Sequence, residues 1–144
     1  MIDFELDIAA PATTVFRLFT EPGGLALWMV REAQVDLRPG GRFRWVYDNG
    51  DVVVGEFVRI EAPHRISFRY GWERPADRGV PPDSTLVEVT LSEHDGATLL
   101  RLVHTGLPAE REGEHRRGWE WFLGRLATTA PTNRLSRDAP RRKR

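Results

Sequence analysis
The chain has 144 residues, no cysteine and a formal net charge of zero. That length suits one domain with a substantial core, and the missing thiols exclude disulfide stapling, cysteine nucleophiles and cysteine-based metal sites. Six basic residues in 134–144 face only Asp138, which leaves the preceding body about five negative. Such a body is a poor nucleic-acid surface, because binding requires clustered Lys and Arg to displace counterions from phosphates. No stretch approaches the ~18 apolar residues of a membrane span, and the start Met1-Ile2-Asp3-Phe4-Glu5 lacks a secretion signal. The expectation is a cytoplasmic domain over residues 1–131, with 132–144 a basic disordered tail and no nucleic-acid partner.

Along the chain, Phe4, Leu6 and Ile8 alternate with Asp3, Glu5 and Asp7, the pattern of a half-buried strand. Pro11 then opens a helix at its first position, with Val15, Phe16 and Phe19 as the apolar stripe, and Glu21-Pro22-Gly23-Gly24 stops it. A short helical turn leads to Trp28. Ala33, Val35 and Leu37 form one face of the next strand, opposed by Glu32, Gln34 and Asp36. After the turn at Gly40-Gly41, Phe43, Trp45 and Tyr47 share one side and Arg42 and Arg44 the other.

Asn49-Gly50 signals a hairpin, so 52–60 should return antiparallel. Its register is open: either Glu56 points inward with Val54, Val58 and Ile60, or a bulge near Gly55 switches the phase. Ile66, Phe68, Tyr70 and Trp72 make a second aromatic row. Residues 73–83 hold three prolines and a glycine, too broken for regular structure and long enough to shape the mouth of a site. Two more strands face Val87, Val89, Leu91, Leu100, Leu102 and His104 inward across an Asp95-Gly96 turn. The closing helix, begun by Pro108, gathers Glu112, His115, Trp119, Phe122, Leu123, Leu126 and Ala130 on one face and leaves Trp121 nearly opposite. That face needs a cover, and the two-residue period of everything before it makes the cover a sheet. The fold class is α+β, one long helix gripped by a curved antiparallel sheet.

Several motifs share order and spacing with one family. They are Ala10-Pro11 with Val15-Phe16, Thr20-Glu21-Pro22, Trp28, Gly40-Gly41-Arg42-Phe43, Gly55, Pro63 with Arg65-Ile66, Phe68, His104-Thr105-Gly106-Leu107, and Gly118-Trp119 with Leu123 and Leu126. Over nearly residues 2–130 the chain resembles the START-like (SRPBCC) superfamily with its helix-grip fold. Within it, the chain resembles the family named for activators of the heat-shock-protein-90 ATPase. Met29 after Trp28, and Trp72 added beyond Tyr70, depart from the family pattern and imply a pocket of different shape. The resemblance implies a cavity between sheet and helix that takes a small apolar molecule, aromatic or polyketide-like.

Fourteen aromatics are present. Tyr and Trp carry a polar end that needs a partner when buried, so several in one inner layer favour a cavity over a dry core. The expected ligand-binding set is Trp28, Phe43, Trp45, Tyr47, Glu56, Phe68, Tyr70, Trp72, Val89, Leu102, His104, His115, Trp119 and Phe122. An enzyme reading, a cyclase, dehydratase or hydrolase of polyketide-like substrates, would use His104, His115, Glu56 and Tyr47. A histidine where strand and helix converge is more often a satisfied structural group. A carboxylate buried at Glu56 would need an arginine, a histidine or a ligand. No phosphate loop, metal-ligand pattern or nucleophile elbow occurs, so neither cofactor nor metal is expected. Dimerisation through a sheet edge or Trp121 stays open, and a co-chaperone-like role using Arg42, Arg44, Arg65, Arg69 and Arg101 ranks last.

Overall fold
The computed structural model describes residues 1–74 and 79–132, so the expected tail beyond Thr132 lies outside the described residues. In chain order the elements are β1 (Ile2–Ile8), α1 (Ala12–Thr20), α2 (Pro22–Leu25), β2 (Glu32–Val35), β3 (Arg42–Val46), β4 (Val52–Glu61), β5 (Arg65–Trp72), β6 (Thr85–His94), β7 (Ala97–Thr105) and α3 (Ala109–Thr129), followed by a 3-10 turn at Ala130–Thr132. The strands form one seven-stranded antiparallel sheet in the order β1-β7-β6-β5-β4-β3-β2. The sheet is curved and α3 lies along its inner face, burying His115, Trp119, Leu123 and Leu126 against it. This is the helix grip that the alternation of the strands and the single apolar stripe of the helix require.

Two bonds to α1, at Ala12 and at Leu18, fix it to the sheet and to the α2 turn. Pro11 stands one position before the helix, at the N-cap, rather than inside its first turn. A proline there has no side-chain acceptor to offer, and the orphan amide of Ala12 is satisfied from β6, by Glu93 Oε1 at 2.8 Å. After α2, Trp28 is fully buried and its indole N–H donates to Leu18 O at 2.8 Å, which fastens the α2 turn onto α1.

The β4 register resolves the Glu56 question. Val53, Gly55 and Phe57 face inward, and the ladder to β5 slips between Phe57 and Arg59, so that Ile60 returns to the inner side opposite Ile66. The bulge sits three residues beyond Gly55, and Glu56 therefore points outward: it pairs with Arg42 across the strands, at 4.0 Å from Nη1. Gly55 serves a different purpose. A Cβ there would lie 2.6 Å from Phe43 Cζ and 1.9 Å from Arg69 O, so only glycine lets the Phe43 ring cross the strand.

The hairpins differ from one another. Asp95 and Gly96 both take positive φ, 55° and 79°, as a two-residue type I′ turn demands. At the β3–β4 turn only Gly50 does, at 90°, and Tyr47 N–H donates to Asp51 O at 2.9 Å while Gly50 N–H donates to Tyr47 O at 2.9 Å. Tyr47 and Asp51 thus stay bonded, and a three-residue loop, one residue longer than the Asp95-Gly96 turn, stands at the open end of the grip.

Candidate functional site
The aromatic layer divides into a packed floor and an open wall. In the floor, Phe43 lies 4.5 Å from Trp45, 5.3 Å from Phe57 and 5.2 Å from Phe68, ring centre to ring centre. Trp45 and Phe68 meet edge to face at 5.4 Å, and Val89 and Leu102 are sealed in the same core. These rings fill one another's space, so this part of the inner face is a core. Trp45 Nε1 is buried there without a hydrogen-bond partner among the described residues.

Next to the floor, two tryptophans hold two histidines. Trp119 Nε1–H donates to His104 Nδ1 at 3.0 Å, which places the proton of the neutral ring on Nε2. That Nε2–H donates to Thr85 Oγ1 at 2.9 Å, and the threonine hydroxyl donates to Tyr70 O at 2.8 Å. Burial, reinforced by the neighbouring His115 and the amino terminus, drives the His104 pKa down to about 3. His115 has the opposite tautomer: its Nε2 accepts from Trp72 Nε1 at 2.9 Å, and its Nδ1–H donates to Arg111 O at 2.8 Å. The two rings are perpendicular, 6.2 Å apart, with Tyr70 4.7 Å from His104. Each acceptor nitrogen is occupied by an indole, an arrangement that orients both rings.

The open wall surrounds a cleft of about 530 Å³ between α3, the turn after α2, the β3–β4 hairpin and the end of β5. Tyr47 lines it, 5.6 Å from Trp72 and 5.5 Å from Phe122. Burial pushes the Tyr47 hydroxyl well above the usual tyrosine range, so it stays protonated and can donate. On α3, Glu114, Gly118, Trp121, Phe122 and Arg125 line the cleft at helical spacing. A Cβ at Gly118 would meet nothing within 4 Å, so the missing side chain is itself part of the space. Arg125 Nε donates to Trp28 O at 2.9 Å and closes the α2 end.

Of the residues named from sequence, Trp28, Tyr47, Tyr70, Trp72, His115, Trp119 and Phe122 line this cleft. Phe43, Trp45, Phe68, Val89, Leu102 and His104 lie outside its lining, in the packed core. Glu56 is on the outer face, separated from both histidines by the sheet. Sequence reasoning missed Met29, Val30, the hairpin carboxylates, Gly118 and Arg125. A glycine one turn before Phe122, with an arginine one turn after it, was the available signal. The described part of residues 73–83 contributes nothing to the cleft lining; instead Val80 O accepts from Trp72 N–H at 2.9 Å. Among the described residues no cluster of His, Asp or Glu is placed to hold a metal, and no helix is long and apolar enough to cross a membrane.

Comparison with known proteins places this geometry. Residues 9–130 match the family profile "Activator of Hsp90 ATPase homolog 1-like protein". DynU16, a protein of the dynemicin biosynthetic locus, superposes with a TM-score of 0.77 at 26% identity, over 91% of this chain and 47% of that one. CalU16 from Micromonospora echinospora gives a TM-score of 0.70 at 29% identity, over 94% of this chain and 80% of its own. In sequence the chain is 29% identical over 108 residues to C1711.08, an uncharacterized protein of Schizosaccharomyces pombe. It spans 72% of this chain but only 29% of the yeast protein, and this chain accounts for less than half of DynU16.

Proposed function
The chain belongs to the activator of Hsp90 ATPase homolog 1-like family, and from that premise we propose that it binds a small, largely aromatic molecule in the cleft beside α3. The observation that carries this reading is the contrast in the ring layer: Phe43, Trp45 and Phe68 pack on each other, while Tyr47, Trp72 and Phe122 surround about 530 Å³ of space. Concave sites of this volume with a few polar groups among aromatic walls suit ligands of drug size. DynU16, which comes from a biosynthetic locus, lends support to a polyketide-like guest. The locked tautomers of His104 and His115 favour binding over acid–base chemistry, so a cyclase, dehydratase or hydrolase role is the second reading. The outer arginines give the co-chaperone reading little support, since Arg42 pairs with Asp83, Arg44 with Glu73 and Arg101 with Asp3.

The test is a titration of the protein with 1-pyrenebutanol, a neutral aromatic probe, followed through the indole N–H signals by NMR. Trp72 and Trp121 should shift on binding while the Trp45 signal, in the floor, stays in place. Movement of Trp45 without Trp72, or no movement at all, would count against the cleft.

A further inference from the structure
The charges around the cleft are unequally engaged. Asp51 accepts from Asn49 Nδ2 at 3.1 Å, and Glu114 lies 3.9 Å from His115 Nδ1. Asp48 is on the exposed hairpin. Arg125 is held by a single bond from Nε to the Trp28 carbonyl and forms no ion pair among the described residues. The Trp28 carbonyl is itself set by the buried indole bonded to Leu18 O, so the guanidinium plane is anchored to the core at one edge. Nη1 and Nη2 remain without an acceptor among the described residues, in a group that lines the cleft.

Eleven helical positions separate Arg125 from Glu114, which puts their backbone positions about 16 Å apart along α3. A spacing of about two Debye lengths between those positions leaves the two charges largely screened from each other at physiological ionic strength. The two ends of the trough are therefore electrostatically distinct. One end carries a carboxylate beside a neutral histidine, and the other a pinned guanidinium with its fork open. Phe122 precedes Arg125 by one turn and touches Tyr47, which touches Trp72, so the rings run continuously toward that fork.

We propose that the occupant of the cleft is an aromatic acid, its ring system held among Tyr47, Trp72 and Phe122 and its carboxylate set end-on against the Nη atoms of Arg125. This rests on the cleft reading above and adds the polar group of the guest. A planar fork matches a carboxylate with two parallel bonds, and a charged acceptor strengthens each of them. A neutral aromatic would occupy the same rings and leave the Nη atoms of the exposed Arg125 to water.

A matched pair of probes separates the two claims. 1-Pyrenebutyrate and 1-pyrenebutanol share their ring system and chain and differ in the terminal carboxylate. Fluorescence titration of the native protein should give the acid about tenfold tighter binding than the alcohol. Arg125→Met should bring the ratio to about one, and Phe122→Ala should weaken both probes together. Equal affinities in the native protein, or a preference for the acid that survives in Arg125→Met, would overturn the proposal. Failure of both probes to bind the native protein would instead overturn the cleft reading on which it rests.

Discussion

Around His104 the rings are sealed, and around Tyr47 they stand open, although both regions are built from the same kinds of side chain on one sheet. At the sealed end each polar atom on the path from Trp119 through His104 and Thr85 to Tyr70 O has a partner inside the protein. At the open end α3 and the β3–β4 hairpin line a cleft, and Gly118 removes the side chain that would fill the gap. The difference teaches that an aromatic inner layer is not by itself a receptor. What separates core from site is whether the rings fill one another's space, as Phe43, Trp45 and Phe68 do, or stand around a cleft, as Tyr47, Trp72 and Phe122 do.

The largest test of that division is Phe68→Ala. Phe68 is fully buried between Phe43, Trp45 and Phe57, and its loss should cost about 3–5 kcal/mol in urea unfolding. A loss no larger than that of a surface residue would mean that the floor is not packed. His104→Leu comes next, because it leaves the Trp119 indole and the Thr85 hydroxyl short of a partner, at about 1–3 kcal/mol.

The same histidine makes stability depend on pH. His104 falls from 6.5 to about 3 on folding, so the unfolded chain takes up a proton that the native chain refuses. Its contribution is complete above pH 6.5, declines as the pH drops toward about 3, and is constant below. Urea midpoints at pH 7.5 and pH 4.5 should differ more in the native protein than in His104→Leu, and equal differences would refute the neutral relay. Trp72→Phe keeps the ring and removes the donor to His115 Nε2; a loss of about 0.5–1.5 kcal/mol is expected by the same measurement. Glu56→Gln should be the mildest, within about 0.5 kcal/mol and without effect on 1-pyrenebutanol affinity, because the carboxylate is on the outer face.

Much of the fold was legible because period-two alternation and one helical stripe each describe a single local geometry. Phe4, Leu6 and Ile8, or Leu100, Leu102 and His104, can only line one side of a strand. The slip between Phe57 and Arg59 was not legible in its position, since a bulge changes the pairing without requiring a particular residue; Gly55, the apparent marker, is explained by the Phe43 ring instead. For the site, Tyr47, Trp72, His115 and Phe122 could be picked out as inward and amphipathic. Which rings would touch each other and which would face space depends on the spread between sheet and helix, and that is a property of the whole sheet. Trp121 illustrates the point: it is 66% exposed, as its place on the helix predicts, yet its edge reaches the mouth of the cleft.

Gly118→Leu offers the sharpest measurement, because a Cβ at that position meets no atom within 4 Å and leucine is a better helix former than glycine. The variant should fold with an unchanged or raised thermal midpoint while its side chain occupies the cleft. Calorimetric titration with 1-pyrenebutanol is then predicted to show binding to the native protein and an affinity at least about tenfold weaker in the variant. Equal affinity of the two proteins for the probe would contradict the account.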